Sequence, residues 1–240
     1  MKILIVLITL SLMIGCANTP LFSPDGKTVP DRAEKNSANQ FIKTDFDRMA
    51  DLELEENMKS LKTLMLKLYK RNPRELAKST SDNAEKMVEW VFEGESQHHW
   101  QFKEINYKQG TDALYLTFDE HYQGDRVLPF IVGLSTMFQK VHGGKKSFFF
   151  TDTLEPQLIY NAARNVEIAA WKLSSDRKSN GDLFLITNEI SHKESNLSFE
   201  REFGKMIGRT DLYAFLLEEK SQRFISKMVQ GIATASFLPF

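Results

Sequence analysis

The stretch that decides the fold covers residues 54–68 and reads LEENMKSLKTLMLKL. Its apolar ladder comprises Leu54, Met58, Leu61, Met65 and Leu68. These positions recur at intervals of four, three, four and three residues, with lysine and glutamate between them. Because this period matches the turn of an α-helix, the stretch predicts an amphipathic helix with one buried face. We expect the helix to end near Asn72, where Pro73 starts the next one.

Similar signals predict helices through the middle of the chain. A capping box at Asp82 and Glu85 opens a helix that Gly94 ends. Residues 112–122 fit a helix or a strand, and the glycine that follows favours the helix. Residues 127–141 form the most apolar piece after the N-terminus, but they are too few to cross a membrane, so we expect a buried central helix.

The remaining third of the chain continues the helical pattern. A capping box at Asp152 and Glu155 opens a helix at residue 156. Residues 183–187 predict a strand or a buried turn of helix, and residues 197–237 predict two helices that bend near Gly208. The predicted fold class is therefore all-α, with a single irregular domain of about eight helices over residues 44–240.

Composition excludes several classes of protein. The chain has 240 residues, of which 42% are hydrophobic and 26% charged, with a formal net charge of −1. This apolar content excludes a wholly disordered chain, and the balanced charge argues against a nucleic-acid partner. A single Cys excludes an internal disulfide framework. Glu189-x-x-His192 has the spacing of one half of a di-iron site, but the motif occurs once, so we expect no metal and no cofactor.

The N-terminus has the layout of a secretory signal. Lys2 precedes an apolar run over residues 3–14, and Gly15-Cys16 follows. Residues 12–16, LMIGC, resemble a bacterial lipobox, although Met13 and Ile14 depart from its commonest residues. The resemblance implies cleavage before Cys16 and lipidation of that cysteine, including a thioether diacylglycerol and an amide-linked acyl chain such as palmitate. The alternatives are a plain signal peptide with an incidental cysteine and an uncleaved anchor.

The lipobox also implies where in the cell the protein is located. Residues 1–15 are then the signal peptide, and residues 16–43 form a lipidated, flexible tether that contains three prolines. The alternative for this segment is that it packs on the folded body. In enterobacterial-type lipoproteins, Asp after the lipidated cysteine causes retention in the inner membrane. Ala17 occupies that position here, which implies the outer membrane, on its periplasmic face. The membrane would be contacted through the N-terminal lipid.

The body resembles a family of uncharacterised proteobacterial lipoproteins. The resemblance rests on residues 124–127 (GDRV), 160–165 (YNAARN) and 196–200 (NLSFE). It spans roughly residues 60–238 and implies no reaction, ligand or oligomeric state.

Two groups of polar residues are candidates for a functional site. The first, Glu120, His121 and Asp125, lies just before the most apolar helix, where Asp125 is equally suited to cap that helix. The second, Asn161, Arg164 and Asn165, shares one face of an otherwise apolar helix because of its i, i+3, i+4 spacing. That face is either a ligand site or a polar seam against a neighbouring helix.

Three functions remain open from the sequence. The leading hypothesis is a membrane-anchored, non-enzymatic interaction or envelope-assembly factor with a protein partner. The first alternative is a small-molecule or lipid binder, which requires a cavity lined by residues such as Phe130, Met137 and Phe203. The second is an envelope hydrolase, which requires Glu120, His121 or Asp125 to converge in a cleft.

Overall fold

The computed structural model describes residues 44–145, 154–190, 195–221 and 236–240. The predicted signal peptide, the lipidated cysteine and the tether lie outside these residues, as does His192. Within the described residues, no helix combines the length and the apolar character needed to cross a membrane.

The described part of the chain contains eight α-helices, one of them a single turn. They are α1 (Asp45–Arg71), α2 (Pro73–Ser79), α3 (Ala84–Glu93), α4 (Glu95–His98), α5 (Gly110–Thr117), α6 (Val127–Val141), α7 (Pro156–Ser175) and α8 (Ser198–Ser221). A 3₁₀ turn covers Lys103–Ile105. Strands β1 (Glu189–Ile190) and β2 (Ser195–Asn196) form a two-residue antiparallel hairpin, in which Glu189 lies opposite Asn196. The predicted all-α class is confirmed.

Helix α1 is the longest element and packs on both α6 and α8. Its first turn is fixed by a capping box, in which the Thr44 hydroxyl accepts from the Asp47 N–H and the Asp47 carboxylate accepts from the Thr44 N–H. The helix ends at Arg71, close to the predicted end, and Asn72 is its C-cap residue. The Asn72 side chain does not cap α2 but bonds the backbone of Leu68 and Ile186, which ties the end of α1 to the loop after α7.

Helix α6 forms the centre of the core, since every residue in it except Gln139 and Lys140 is buried. It packs on α1, α5 and α7. Its contact with α5 depends on Gly133, because a Cβ there would lie 2.7 Å from Leu114 Cγ and 2.9 Å from the Gly110 carbonyl oxygen. Helix α7 packs in turn on α8, and its buried residues include four alanines.

Four details of the predicted secondary structure are wrong. The N-cap of α3 is Asn83 rather than Asp82, because the Asn83 side chain accepts from the Lys86 N–H. Helix α5 ends at Thr117, well before Gly124. Residues 183–187 form neither a strand nor a helical turn, and only an isolated bridge joins Leu183 to Arg177. Helix α8 runs unbroken through Gly208, and Phe237 lies in a segment without helix.

Candidate functional site

The six residues singled out from the sequence lie in two separate places. Glu120, His121 and Asp125 lie in the loop between α5 and α6, whereas Asn161, Arg164 and Asn165 lie on α7. The contacts of each residue show which of them hold the fold together and which of them face a surface.

The loop between α5 and α6 is organised by Arg126, which the sequence reasoning did not single out. Its guanidinium donates to the carbonyl oxygens of Thr117 and Asp119, both at 2.7 Å, and to that of Tyr122 at 2.5 Å. It also lies over the Phe184 ring, 5.1 Å from the centroid. Because these contacts engage the buried cation within the fold, Arg126 shapes the loop instead of offering a charge to a ligand.

Asp125 is buried where α1, α2 and α6 meet. Its Oδ2 accepts from the Tyr69 hydroxyl at 2.6 Å and the Ser79 hydroxyl at 2.8 Å, while Oδ1 accepts from the Val127 N–H at 2.8 Å. The last bond satisfies the first N–H of α6, although Arg126 occupies the N-cap position itself. Burial raises the pKa of Asp125 to about 6, against the opposing effect of these hydrogen bonds.

Glu120 and His121 are exposed and do not share the environment of Asp125. The Glu120 carboxylate accepts from the N–H and the hydroxyl of Ser179, and these hydrogen bonds lower the pKa of Glu120. The His121 N–H donates to Asp119 Oδ1 at 2.9 Å, as part of a local turn. The three residues therefore occupy different environments and do not converge in one cleft.

Arg164 belongs to a polar seam between α7 and α8. Its guanidinium donates to Glu167 on the same helix at 2.7 Å and to Asp211 on α8, and it lies over the Tyr160 ring. For Arg164, the polar face of α7 is therefore a seam against a neighbouring helix, which is one of the two arrangements that the i, i+3, i+4 spacing left open.

Asn161 and Asn165 instead bind the segment 236–240, Ser-Phe-Leu-Pro-Phe. The Asn165 amide accepts from the Leu238 N–H at 2.6 Å and donates to the Leu238 carbonyl at 2.9 Å. One turn earlier, Asn161 Nδ2 donates to the Pro239 carbonyl at 2.7 Å. The N–H and C=O of one residue point to the same side only in an extended backbone, which Pro239 also favours for the residue before it.

The apolar side chains of the segment contact two further helices. Phe237 packs edge-on against the Tyr115 ring at 5.2 Å between centroids, and its N–H donates to the Tyr115 hydroxyl at 3.2 Å. Phe240 lies under Lys140, with Nζ 4.9 Å from the ring centroid, and against Gly110. We call this surface the tail groove; it is formed by Gly110 and Tyr115 of α5, Lys140 of α6, and Asn161 and Asn165 of α7.

A second polar cluster, which the sequence reasoning missed, is buried between α1, α8 and the end of α6. Glu53 Oε2 lies 2.8 Å from His142 Nε2, and the Thr210 hydroxyl donates to Glu53 Oε1 at 2.6 Å. Asn57 donates to Thr210 and accepts from Arg209. The signal was present in the sequence, because Glu53 and Asn57 are four residues apart and follow the same period as the apolar ladder beside them.

This cluster is a buried polar network with a structural role. His142 is fully buried and Glu53 is only 3% exposed. The Nδ1 atom of His142 lies 2.8 Å from the Phe138 carbonyl oxygen, which can only accept, so this nitrogen carries a proton. Nε2, on the other side of the ring, faces Glu53 Oε2. No substrate reaches these side chains, and the pair joins the end of α6 to α1.

Three surface cavities are lined by residues other than those predicted to line a ligand pocket. One of about 390 Å³ lies beside Trp90, one of about 670 Å³ lies beside Phe240, and one of about 170 Å³ lies near Tyr115. Three core residues, Phe130, Met137 and Phe203, are at most 2% exposed and line none of these three cavities. Among the described residues, no group of three His, Cys, Asp or Glu side chains is arranged to hold a metal ion.

Comparison with known proteins finds no match. No family model matches the chain, and neither a curated protein nor a solved structure matches it.

Proposed function

We propose that this chain is a lipid-anchored protein of the bacterial envelope that binds another protein and catalyses no reaction. The observation that carries the proposal is the tail groove, where side-chain amides already hold a stretch of peptide backbone. Asp125 and Arg126 beside the start of α6, and Arg164 of the α7–α8 seam, are engaged in contacts within the fold. At the tail groove, the amides of Asn161 and Asn165 hold the backbone of residues 238 and 239 of the same chain, beside the exposed Lys140.

The contacts support binding over catalysis. A hydrolase needs a nucleophile, a base and an electrophilic group around one reacting atom. Glu120, His121 and Asp125 lie in different environments and offer no such point. The alternative of a small-molecule binder also finds little support, since the core at Phe130 and Phe203 is packed edge-to-face.

The proposed anchor rests on the lipobox resemblance of residues 12–16. A single acyl chain holds a protein on a membrane only marginally, since each buried methylene contributes about 0.8 kcal/mol. The three chains that the resemblance implies would hold the protein there almost permanently. The proposed address is the periplasmic face of the outer membrane, because Ala17 follows the cysteine.

Anchoring and partner binding are tested separately. Cys16→Ser is expected to abolish acyl labelling and release the protein from the membrane fraction; unchanged labelling would refute the anchor. For binding, a photo-crosslinking residue replaces Lys140 at the tail groove, and the matched control replaces Lys59, which is exposed on α1. We expect a discrete envelope protein to be captured from intact cells at position 140 but not at position 59. Capture at neither position, or equal capture at both, would contradict a specific partner at this surface.

A further inference from the structure

One face of α8 points away from the rest of the fold. Its residues recur at intervals of three and four, so they form a single stripe along the helix and the residue before it. All of them are exposed, whereas Phe203 and Met206 on the opposite face are buried. We call this surface the α8 stripe, and it consists of Leu197, Arg201, Gly204, Gly208, Leu212, Phe215 and Glu219.

The middle of the α8 stripe is apolar and open. Seven large apolar side chains are exposed among the described residues, and three of them, Leu197, Leu212 and Phe215, belong to this stripe. Leu212 is 60% exposed, the highest value of the seven. A Cβ added at Gly204 or Gly208 would meet nothing within 4 Å. Each glycine costs helix stability, up to about 1 kcal/mol relative to alanine, and glycines one turn apart allow another helix to approach closely.

The two charges of the α8 stripe lie at opposite ends of it. Arg201 is near the start of α8, and Glu219 is near its end. Neither side chain forms an ion pair with a residue in the described part of the chain. They cannot pair with each other, because the helix between them separates them by about 27 Å. The stripe therefore presents one free positive and one free negative charge on either side of its apolar middle.

A second copy of the chain supplies a partner for each charge. When two α8 stripes cross in opposite directions at Gly208, Arg201 of each copy lies within about one turn of Glu219 of the other. In the same arrangement, each Leu212 lies over the space at Gly204 of the other copy. A parallel pair would instead bring Arg201 against Arg201 and Glu219 against Glu219, which repel. The charge pattern therefore favours an antiparallel pair of identical helices, in which two-fold symmetry repeats every contact.

We propose that this protein forms an antiparallel homodimer through the α8 stripe, with the two-fold axis at Gly208, Leu212 packed over Gly204 of the second copy, and Arg201 paired with Glu219 of the second copy. This inference goes beyond the proposed function, because it concerns a different surface from the tail groove and a different partner.

Cysteine crosslinking of the full chain in intact cells tests the geometry. Gly208→Cys places a thiol at the two-fold axis, where the two copies are close enough for a disulfide. Gly204→Cys is the matched control, since this glycine is equally open, but its two copies would lie about 12 Å apart along the helix axis, too far for a disulfide. After mild oxidation, we expect at least tenfold more homodimer from Gly208→Cys than from Gly204→Cys. The natural chain, whose one cysteine is Cys16, gives the background.

Charge reversal tests the pairing in the same assay. In the Gly208→Cys chain, Arg201→Glu or Glu219→Arg alone should lower the yield of homodimer about tenfold, because each change makes two attractive pairs repulsive. The double variant Arg201→Glu/Glu219→Arg should restore the yield, which a loss of folding would not do. Lys103→Glu makes the same change of charge at an exposed position of the 3₁₀ turn and should leave the yield unchanged.

Four outcomes would overturn the inference. They are a yield from Gly208→Cys no higher than the background, equal yields from the two glycine variants, no recovery in the double charge variant, and a crosslink from position 208 that mass spectrometry identifies as another protein. The last outcome would make that protein the occupant of the α8 stripe. Capture of a partner at Lys140 is measured separately, so the proposed function stands or falls independently of these results.

Discussion

Replacing Asp125 with Asn should change how the stability of this protein depends on pH. Asp125 is 3% exposed, and it lies among Tyr69, Ser79 and the start of α6. Burial and the nearby Glu75 raise the pKa of this carboxyl to about 6, although the three hydrogen bonds lower it. The folded protein therefore holds a proton on Asp125 more tightly than the unfolded chain does, in which the pKa is close to 3.8.

The sign and size of the effect follow from this difference. A folded-state pKa above the unfolded value stabilises the protein below about pH 4, and that contribution is lost as the pH rises through about 6. A difference of about two pKa units corresponds to ~3 kcal/mol, at 1.36 kcal/mol per unit. The free energy of unfolding of Asp125→Asn, measured relative to the natural chain, should accordingly increase by ~3 kcal/mol between pH 4 and pH 7.5.

Urea unfolding followed by circular dichroism at four values between pH 4 and pH 7.5 measures this change. Only the pH dependence of the difference matters, because Asn also alters the hydrogen bonds at every pH. Glu120→Gln is the matched control, since Glu120 is exposed. Its free energy of unfolding should change with pH in nearly the same way as that of the natural chain. If the free energy of unfolding of Asp125→Asn differs from that of the natural chain by the same amount at every pH, burial does not raise the pKa of this carboxyl.

Three further substitutions test packing, the buried ion pair and the groove. Gly133→Ala should lower the free energy of unfolding by about 1–3 kcal/mol, because the added Cβ would collide with α5. Gly204→Ala on α8 is the control: its Cβ would meet nothing within 4 Å, so the free energy of unfolding should rise by about 0.5–1 kcal/mol. Urea unfolding measures both values. Glu53→Gln changes a buried carboxyl that faces His142 and accepts from Thr210. If the carboxyl and His142 form an ion pair, the free energy of unfolding should fall by about 3–5 kcal/mol in the same assay, and a fall below about 1 kcal/mol would exclude that pair. Gly110 has a φ of +54°, and a Cβ added there would lie 2.5 Å from the Phe240 ring. Gly110→Ala should therefore loosen the segment, and hydrogen–deuterium exchange should be faster in residues 237–240. Unchanged protection would contradict the close fit of the ring.

Helices with a clear apolar period were predictable from the sequence. Residues 127–141 form a buried helix with the predicted bounds, and the first long helix ends at Arg71, one residue before the predicted Asn72. Both results depend on local interactions, namely the burial of one helix face and the chemistry of the helix ends. The predicted break at Gly208 is wrong because packing of α8 against α1 and α7 stabilises a continuous helix through an exposed glycine.

The candidate residues show where prediction from sequence stops. The spacing of Asn161 and Asn165 places them correctly on one face of α7, but their partners lie more than 70 residues away along the chain. Glu53 follows the helical period that placed Leu54, yet its burial depends on His142 and Thr210, which come from two other elements. A pattern of neighbouring residues cannot predict contacts between side chains that lie far apart in the sequence.

What the sequence alone determined is the helical class, the bounds of its most periodic helices and the polar residues that interrupt them, because these follow from interactions between residues within a few turns of each other. The tertiary structure alone decided that Arg126 shapes the loop before α6, that Asp125 and Glu53 are buried, and that Asn165 binds Leu238. Each of these depends on which elements approach in space. Burial then sets the energetic consequence, because a charge or an amide removed from water must find its partners inside the fold.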